Sequence, residues 1–404
     1  MKSLDINVNS NVDTNVDTNI ASVADNKHQQ IDQHPGLNAI RQPRLFSSSQ
    51  WLMIAGFTLL AAALPLLNLV FPDGHALHVS SYMVGLVAKF MCYALAAMAL
   101  DMVWGYTGIL SLGHGVFFAL GAYAHGMYLM RAIGRDGVYQ SLLPDFMVFL
   151  DWKTYPWYWA MTDSFWYCMA LVVLVPGVLA FVFGYFAFRS RIKGVYFSII
   201  TQAMTFAFML LFFRNDTGFG GNNGFTDFKR ILGYSVTAPG TKAVMYLITL
   251  ALLLGALLLC RSIVSSKLGR VLQAVRDSES RLMFIGYDPL WFKLFVWTLS
   301  AILCGIAGAL YVPQVGIINP SEMSPGNSIE MVIWAAVGGR GTLIGPIIGA
   351  FTVNGLKSWF TAAFPDLWLF ALGLLFILVT LLMQDGILGL LKKLRAMKNA
   401  KEAA

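Results

Sequence analysis

Charge is what this sequence has least of. Of its 404 residues only 12% are Asp, Glu, Lys or Arg, while 57% are hydrophobic. A soluble domain carries roughly 25% charged residues, so the deficit excludes an ordinary soluble fold and puts the chain in a membrane. Cysteine is sparse as well. Cys92, Cys168, Cys260 and Cys304 each lie in or beside an apolar run, with no CxxC spacing, which excludes a disulfide framework and a zinc site. The six histidines make no ligand set: His28 and His34 lie in polar N-terminal sequence, His75 and His78 between apolar runs, and His114 and His125 three turns apart. No GxSxG, HExxH or GxxxxGKS/T motif occurs. The last absence removes the phosphate cradle of a P-loop, so no ATP site and no cofactor is expected in this chain. The net charge of +7 fits basic loops on one side of a membrane. No basic stretch interleaved with aromatics points to nucleic acid.

What the chain does have is a series of apolar runs near the roughly 20 residues a membrane helix needs. They fall at 51–71, 81–103, 115–131, 164–188, 194–213, 243–260, 293–312, 329–337, 343–360 and 367–384, the eighth too short to cross alone. The expected fold is an all-α polytopic membrane protein of about ten segments (8–10) with glycine-broken helices. Residues 1–50 repeat Asn-Val-Asp-Thr at 11–14 and 15–18 and carry Asp5, Asp13, Asp17 and Asp25, a composition that cannot order itself and does not resemble a transit peptide. They are expected to form a disordered cytoplasmic tail. The membrane domain is expected over 51–388 and a basic cytoplasmic tail over 389–404. With an even number of crossings, Arg41 and Arg44, the 189–193 segment, the 262–292 loop and Lys392, Lys393, Arg395 and Lys398 all face the cytoplasm.

Two glycine-rich interruptions fall within this series. One holds Gly105, Gly108, Gly113 and Gly115; the other holds Gly338, Gly339 and Gly341. Irregular backbone at membrane depth survives only inside protein or beside a water-filled cavity, and interrupted spans mark binding sites in transporters. Close packing of helices through small residues is the alternative, and for the second break a tight cytoplasmic turn. Asp101, one turn before the first break, reads as an interfacial residue or an interhelical hydrogen-bond partner. Lys89, twelve residues earlier, reads as snorkelling outward.

The 262–292 loop carries Arg270, Arg276, Asp277, Glu279 and Arg281, which forbid burial in lipid. Its apolar Val271, Val275, Leu282 and Ile285 recur at near-helical spacing. An amphipathic helix between two spans needs something outside the membrane to dock on.

The stretch from Gly105 through Ser111, Leu112, Gly113, His114 and Gly115 resembles the signature of the branched-chain amino acid ABC permease family. Residues 268–286, followed by 300–310 with Gly305 and Gly308, resemble that family's ATPase-coupling loop and the helix after it. Two further stretches, 220–228 and 313–322, continued by 328–330 and 334–341, resemble the urea ABC transporter permease branch. The resemblance covers roughly residues 80–390. It departs from the Glu-Ala-Ala-Gly pattern of many such permeases, since Glu279 stands one position too far from Gly286.

The resemblance implies an importer in which this chain pairs with a homologous second permease subunit. Two ABC ATPase subunits would bind ATP and Mg, and a periplasmic or extracellular substrate-binding protein would serve it, all at a bacterial inner (plasma) membrane with both termini cytoplasmic. Within the coupling loop it points to Gln273, Ala274, Arg276, Asp277, Glu279, Arg281 and Gly286. A neutral, strongly hydrated solute needs amide and hydroxyl partners. Thr201, Gln202, Asn222, Asn223, Gln314 and Asn319 supply that chemistry and, with Glu330, are candidates for the pathway or for docking the binding protein, with turn chemistry or interhelical hydrogen bonding as the alternative. Urea is the first-ranked cargo. Branched-chain amino acids or short amides keep the same machine, and a passive channel or ion-coupled carrier is the reading of another class.

Overall fold

The computed structural model describes residues 48–72, 74–367, 370, 373–374, 377 and 386–390. The expected tails therefore lie almost wholly outside the described residues, and most of the expected segment 367–384 does too. Eleven α-helices are described: α1 (Ser48–Val70), α2 (Ser81–Thr107), α3 (His114–Ile133), the short α4 (Asp145–Phe149), α5 (Phe165–Arg189), α6 (Val195–Phe213), α7 (Pro239–Ser265), α8 (Lys267–Phe284), α9 (Pro289–Val315), α10 (Pro325–Gly338) and α11 (Ile344–Ala363). The protein is an all-α polytopic membrane protein. Among the described residues six helical stretches are long and apolar enough to cross a membrane: α2, 114–136, α5, α6, α7 and α9. Of the other four expected segments, the first, the eighth and the ninth form α1, α10 and α11, which fall short of that measure, and the tenth lies mostly outside the described residues. The eighth segment forms only the 14-residue α10, and α11 carries Asn354 and Lys357 among its apolar residues.

Four of the described helices start behind a side-chain cap, and α2 also ends on a glycine cap. Ser80 accepts from the Met83 N–H at the start of α2, and Gly108 closes that helix in the left-handed conformation (φ 74°) with its N–H on Trp104 O. Asp288 caps α9 through the Leu290 N–H ahead of Pro289. Each cap satisfies backbone groups that would otherwise be orphaned in an apolar medium.

α3 is the central helix and is almost wholly buried, whereas less than half of α5, α6 or α7 is covered. The outer helices present Val178, Phe181, Phe186 and Leu210 outward, the surface expected to meet lipid. α9 packs along α2, α3 and α5. It approaches α3 so closely that a Cβ on Gly121 would stand 2.0 Å from Gly305 O, and one on Gly308 1.8 Å from Phe118 O. Small residues let the two backbones touch. Trp297 of α9 fills a gap left by Gly184 of α5, donates to Ala180 O at 2.9 Å and meets the His114, Phe117 and Phe197 rings edge-on.

Four two-residue strands cap one end. β1 (Phe225–Thr226) pairs antiparallel with β4 (Ile317–Ile318), Phe225 facing Ile318; β2 (Arg230–Ile231) pairs with β3 (Tyr234–Ser235). The first ladder joins the two stretches, 220–228 and 313–322, that lie far apart in sequence.

Candidate functional site

At the opposite end from the strands, α8 carries the charged loop. Ser266 caps it through the Leu268 N–H. Leu272, Val275 and Leu282 are buried beneath it, while Arg276, Asp277, Ser280 and Arg281 are exposed and Gln273, Ala274 and Glu279 half-buried. The helix is interrupted at Ser278 (φ −162°, ψ 91°). This break turns the last part of the helix, so Ile285, expected on the packed face, is 71% exposed beside Phe284 at 90%. Gly286 follows in the left-handed region (φ 89°).

Two side chains, Arg276 and Glu279, tie α8 to the membrane domain through polar contacts. The Arg276 guanidinium donates to Gly105 O at 3.0 Å, near the end of α2. The Glu279 carboxylate lies 2.7 Å from Lys193 Nζ, in the α5–α6 loop, and also pairs with Lys293 of α9. Burial works to raise the Glu279 carboxyl; the hydrogen bonds and charges of the two lysines outweigh it and hold the group below its ordinary value.

The two glycine-rich breaks touch. A Cβ on Gly105 would meet the Gly341 backbone at 2.7 Å. The fully buried Asp101 accepts the Gly341 N–H at 2.7 Å and the Leu343 N–H at 3.2 Å, so it bonds the turn between α10 and α11 rather than another helix. Hydroxyls of α6 fill the first break: Thr201 Oγ1 accepts the Leu112 N–H at 3.1 Å, and Ser198 Oγ donates to Leu110 O at 2.8 Å. His114 bonds Ser111 Oγ and Ser300 Oγ at 3.1 and 2.8 Å, and Gly115 N–H donates to Ser328 Oγ at 3.1 Å. Gly338 packs against Gly345 and Gly349 at the α10–α11 crossing, and Gly339 ends α10 with its N–H on Ala335 O.

Between α2, α9, α10 and α11 lies a polar cavity of about 190 Å³. Lys89 and Tyr93 face it from α2, one turn apart. Tyr311 lines it from α9, Glu322 from the turn Pro320–Met323, Glu330 and Trp334 from α10, and Lys357 from α11. Lys357 Nζ bonds both Glu330 oxygens at 2.8 and 3.0 Å. Glu322 accepts from Tyr311 Oη at 3.2 Å and from Asn327 Nδ2 at 3.3 Å. Lys89 Nζ stands 5.6 Å from the Tyr93 ring centroid and 5.9 Å from that of Tyr311. Along α2 the cavity lies about 24 Å from the Arg276 anchor, at 1.5 Å rise per residue.

Of the seven sequence candidates for pathway or docking, only Glu330 lines this cavity. Thr201 is spent on the break. Gln314 bridges α9 to Thr249 of α7 at 2.9 Å, and Asn319 caps the Pro320–Met323 turn through the Ser321 N–H. Asn222 and Asn223 are exposed and Gln202 half-buried. Sequence reasoning missed Tyr93, Tyr311, Asn327 and Lys357 and read Lys89 as pointing away. The usable signal was an ionisable residue inside an apolar run, which both Lys89 and Lys357 are.

The family model described as branched-chain amino acid transport system / permease component matches residues 82–380. The chain belongs to this family. The permease is 24% identical over 294 residues to the high-affinity branched-chain amino acid transport system permease protein LivM of Salmonella typhimurium, across 67% of this chain and 62% of that protein. It is 24% identical over 343 residues to the Escherichia coli protein of the same name, across 80% of this chain and 73% of the other. A shorter stretch, 133 residues at 27% identity, resembles the autoinducer 2 import system permease protein LsrC of Yersinia pseudotuberculosis, covering 31% of this chain and 34% of that one. The matched part thus spans less than two thirds of the Salmonella relative. No solved structure matches.

Proposed function

We propose that this chain is the membrane-spanning permease subunit of an ATP-driven importer of urea, working at a bacterial inner membrane with both termini in the cytoplasm. The observation that carries the importer reading is α8. A charged helix with an exposed apolar tip, Phe284 and Ile285, is a surface that a soluble protein covers. It is also fastened to the end of α2 through Arg276 and Gly105. A push on α8 is therefore delivered to the glycine break and, through Asp101, to the start of α11. The chain itself is not the enzyme: ATP and Mg belong to two partner ATPases, and a homologous permease and an external substrate-binding protein complete the machine.

Urea as cargo draws support from the stretches 220–228 and 313–322. They carry the likeness to the urea branch and meet in the β1–β4 ladder. The test is uptake of labelled urea at micromolar supply by cells with the gene deleted. Uptake is expected to fall to background and to return with the gene, with excess acetamide competing and leucine not. Unchanged uptake rejects the importer reading, and competition by leucine reassigns the cargo to branched-chain amino acids.

A further inference from the structure

We propose that the cavity between α2, α9, α10 and α11 binds a small neutral amide, its carbonyl oxygen received by the Lys89 ammonium and the Trp334 indole N–H and its own N–H groups by Glu322 and Glu330. The inference rests on the importer reading above and gives the cargo a place within this subunit.

The cavity, at about 190 Å³, has room for roughly six water molecules at their liquid volume. Two ammonium and two carboxylate groups line it, so its charges balance. A ligand with net charge would leave one charge unmatched in surroundings of low dielectric, whereas a neutral one would not.

The hydrogen-bond inventory then sets the ligand's shape. Each carboxylate oxygen of Glu322 and Glu330 accepts one hydrogen bond and keeps lone-pair capacity for another. Among the described donors that line the cavity, two are unspent. Trp334 is 2% exposed, and its indole N–H has no partner. Lys89 Nζ lies over the Tyr93 and Tyr311 rings and donates to no described oxygen. Buried donors without acceptors are rare and costly. Two spare donors and several spare carboxylate lone pairs complement a molecule with one carbonyl and several N–H groups. Urea and primary amides have that form.

The setting agrees. α10 is a 14-residue half-helix that opens inside the fold behind the Ser324 cap, and interrupted helices of this kind hold substrates in transporters. A purely structural ion-pair cluster between α10 and α11 accounts for Glu330 and Lys357 but leaves the Lys89 and Trp334 donors without a role.

The experiment uses the full-length permease purified with its partner subunits but without the substrate-binding protein. Labelled urea is measured by equilibrium dialysis, and acylation of Lys89 by an amine reagent is followed by mass spectrometry. Urea is expected to bind, to be displaced by acetamide and not by leucine, and to slow Lys89 acylation in the unaltered protein. Trp334→Phe, which keeps the ring, and Lys89→Gln should each weaken binding about tenfold, the loss of one buried hydrogen bond, in complexes that still assemble. Unweakened binding in both variants, or absence of Lys89 protection in the unaltered protein, overturns the site even if deletion of the gene abolishes urea uptake. Protection with unchanged uptake leaves the site standing and rejects the importer reading.

Discussion

Asp101 shows how a single side chain can hold two distant segments together. A buried carboxylate is costly unless hydrogen-bonded, and here two backbone N–H groups, Gly341 and Leu343, meet it. Leu343 is held at φ 60°, a conformation that a leucine rarely adopts, so the carboxylate secures a turn that would otherwise relax. Asp101→Asn turns an acceptor oxygen into a donor facing an N–H. It should lower stability by about 1–3 kcal/mol, read as a fall in the thermal midpoint of the purified protein; an unchanged midpoint contradicts the assignment. Gly121 makes the complementary case for size. Gly121→Ala would set a methyl 2.0 Å from Gly305 O and force α3 and α9 apart, at about 1–3 kcal/mol. Gly240→Ala, with nothing within 4 Å, should leave the midpoint where it is, and equal behaviour of the two variants would refute the close crossing. The sequence marked Asp101 as a candidate hydrogen-bond partner because a carboxylate in an apolar run demands one. It could not name the partner, which lies 240 residues away.

At the scale of the element, α8 stands on the lysines around Glu279. The carboxyl sits below its ordinary value of 4.5, so its contribution is fully present above that value and is lost as pH falls through the lower one. Between pH 7 and 5 the helix should hold its place. In more acidic solution, below the ordinary carboxylate range, it should loosen from Lys193 and Lys293, seen as faster proteolysis within 267–286. Glu279→Gln should show the loosened pattern already at pH 7 and lose the acid step. A variant that keeps the step points to another titrating group. Apolar periodicity located α8 and placed Val275 and Leu282 on its buried face, but it put Ile285 there as well. The reading assumed one unbroken helical phase, and the irregular Ser278 resets that phase for the residues after it, leaving Ile285 exposed. Long apolar runs were legible for the opposite reason: α2, α5, α6, α7 and α9 each satisfy their backbone internally, so length and composition alone mark them. α11 was harder, because Lys357 joins it to Glu330 and makes it part of a polar wall rather than a simple crossing.

At the scale of the molecule, what sequence hides is assembly across long separations. The cavity draws Lys89 and Lys357 from nearly opposite ends of the membrane domain, and no local pattern announces that they meet. What sequence shows is polarity. Basic residues gather at the α8 end, where Arg189, Arg191, Arg270 and Arg281 are exposed, the pattern from which the positive-inside rule predicts a cytoplasmic face. Orientation can be tested with two engineered thiols, since Cys92, Cys168, Cys260 and Cys304 are all buried and give little background. Ser280 of α8 and Ser235 of β3 are both exposed and are separated by α7, whose 27 residues span about 40 Å, enough to cross a bilayer. In intact spheroplasts a membrane-impermeant maleimide should label Ser235→Cys and spare Ser280→Cys, and permeabilisation should expose the second. Labelling of Ser280→Cys from outside would turn α8 away from any cytoplasmic ATPase, and an importer driven through that helix would have no source of work.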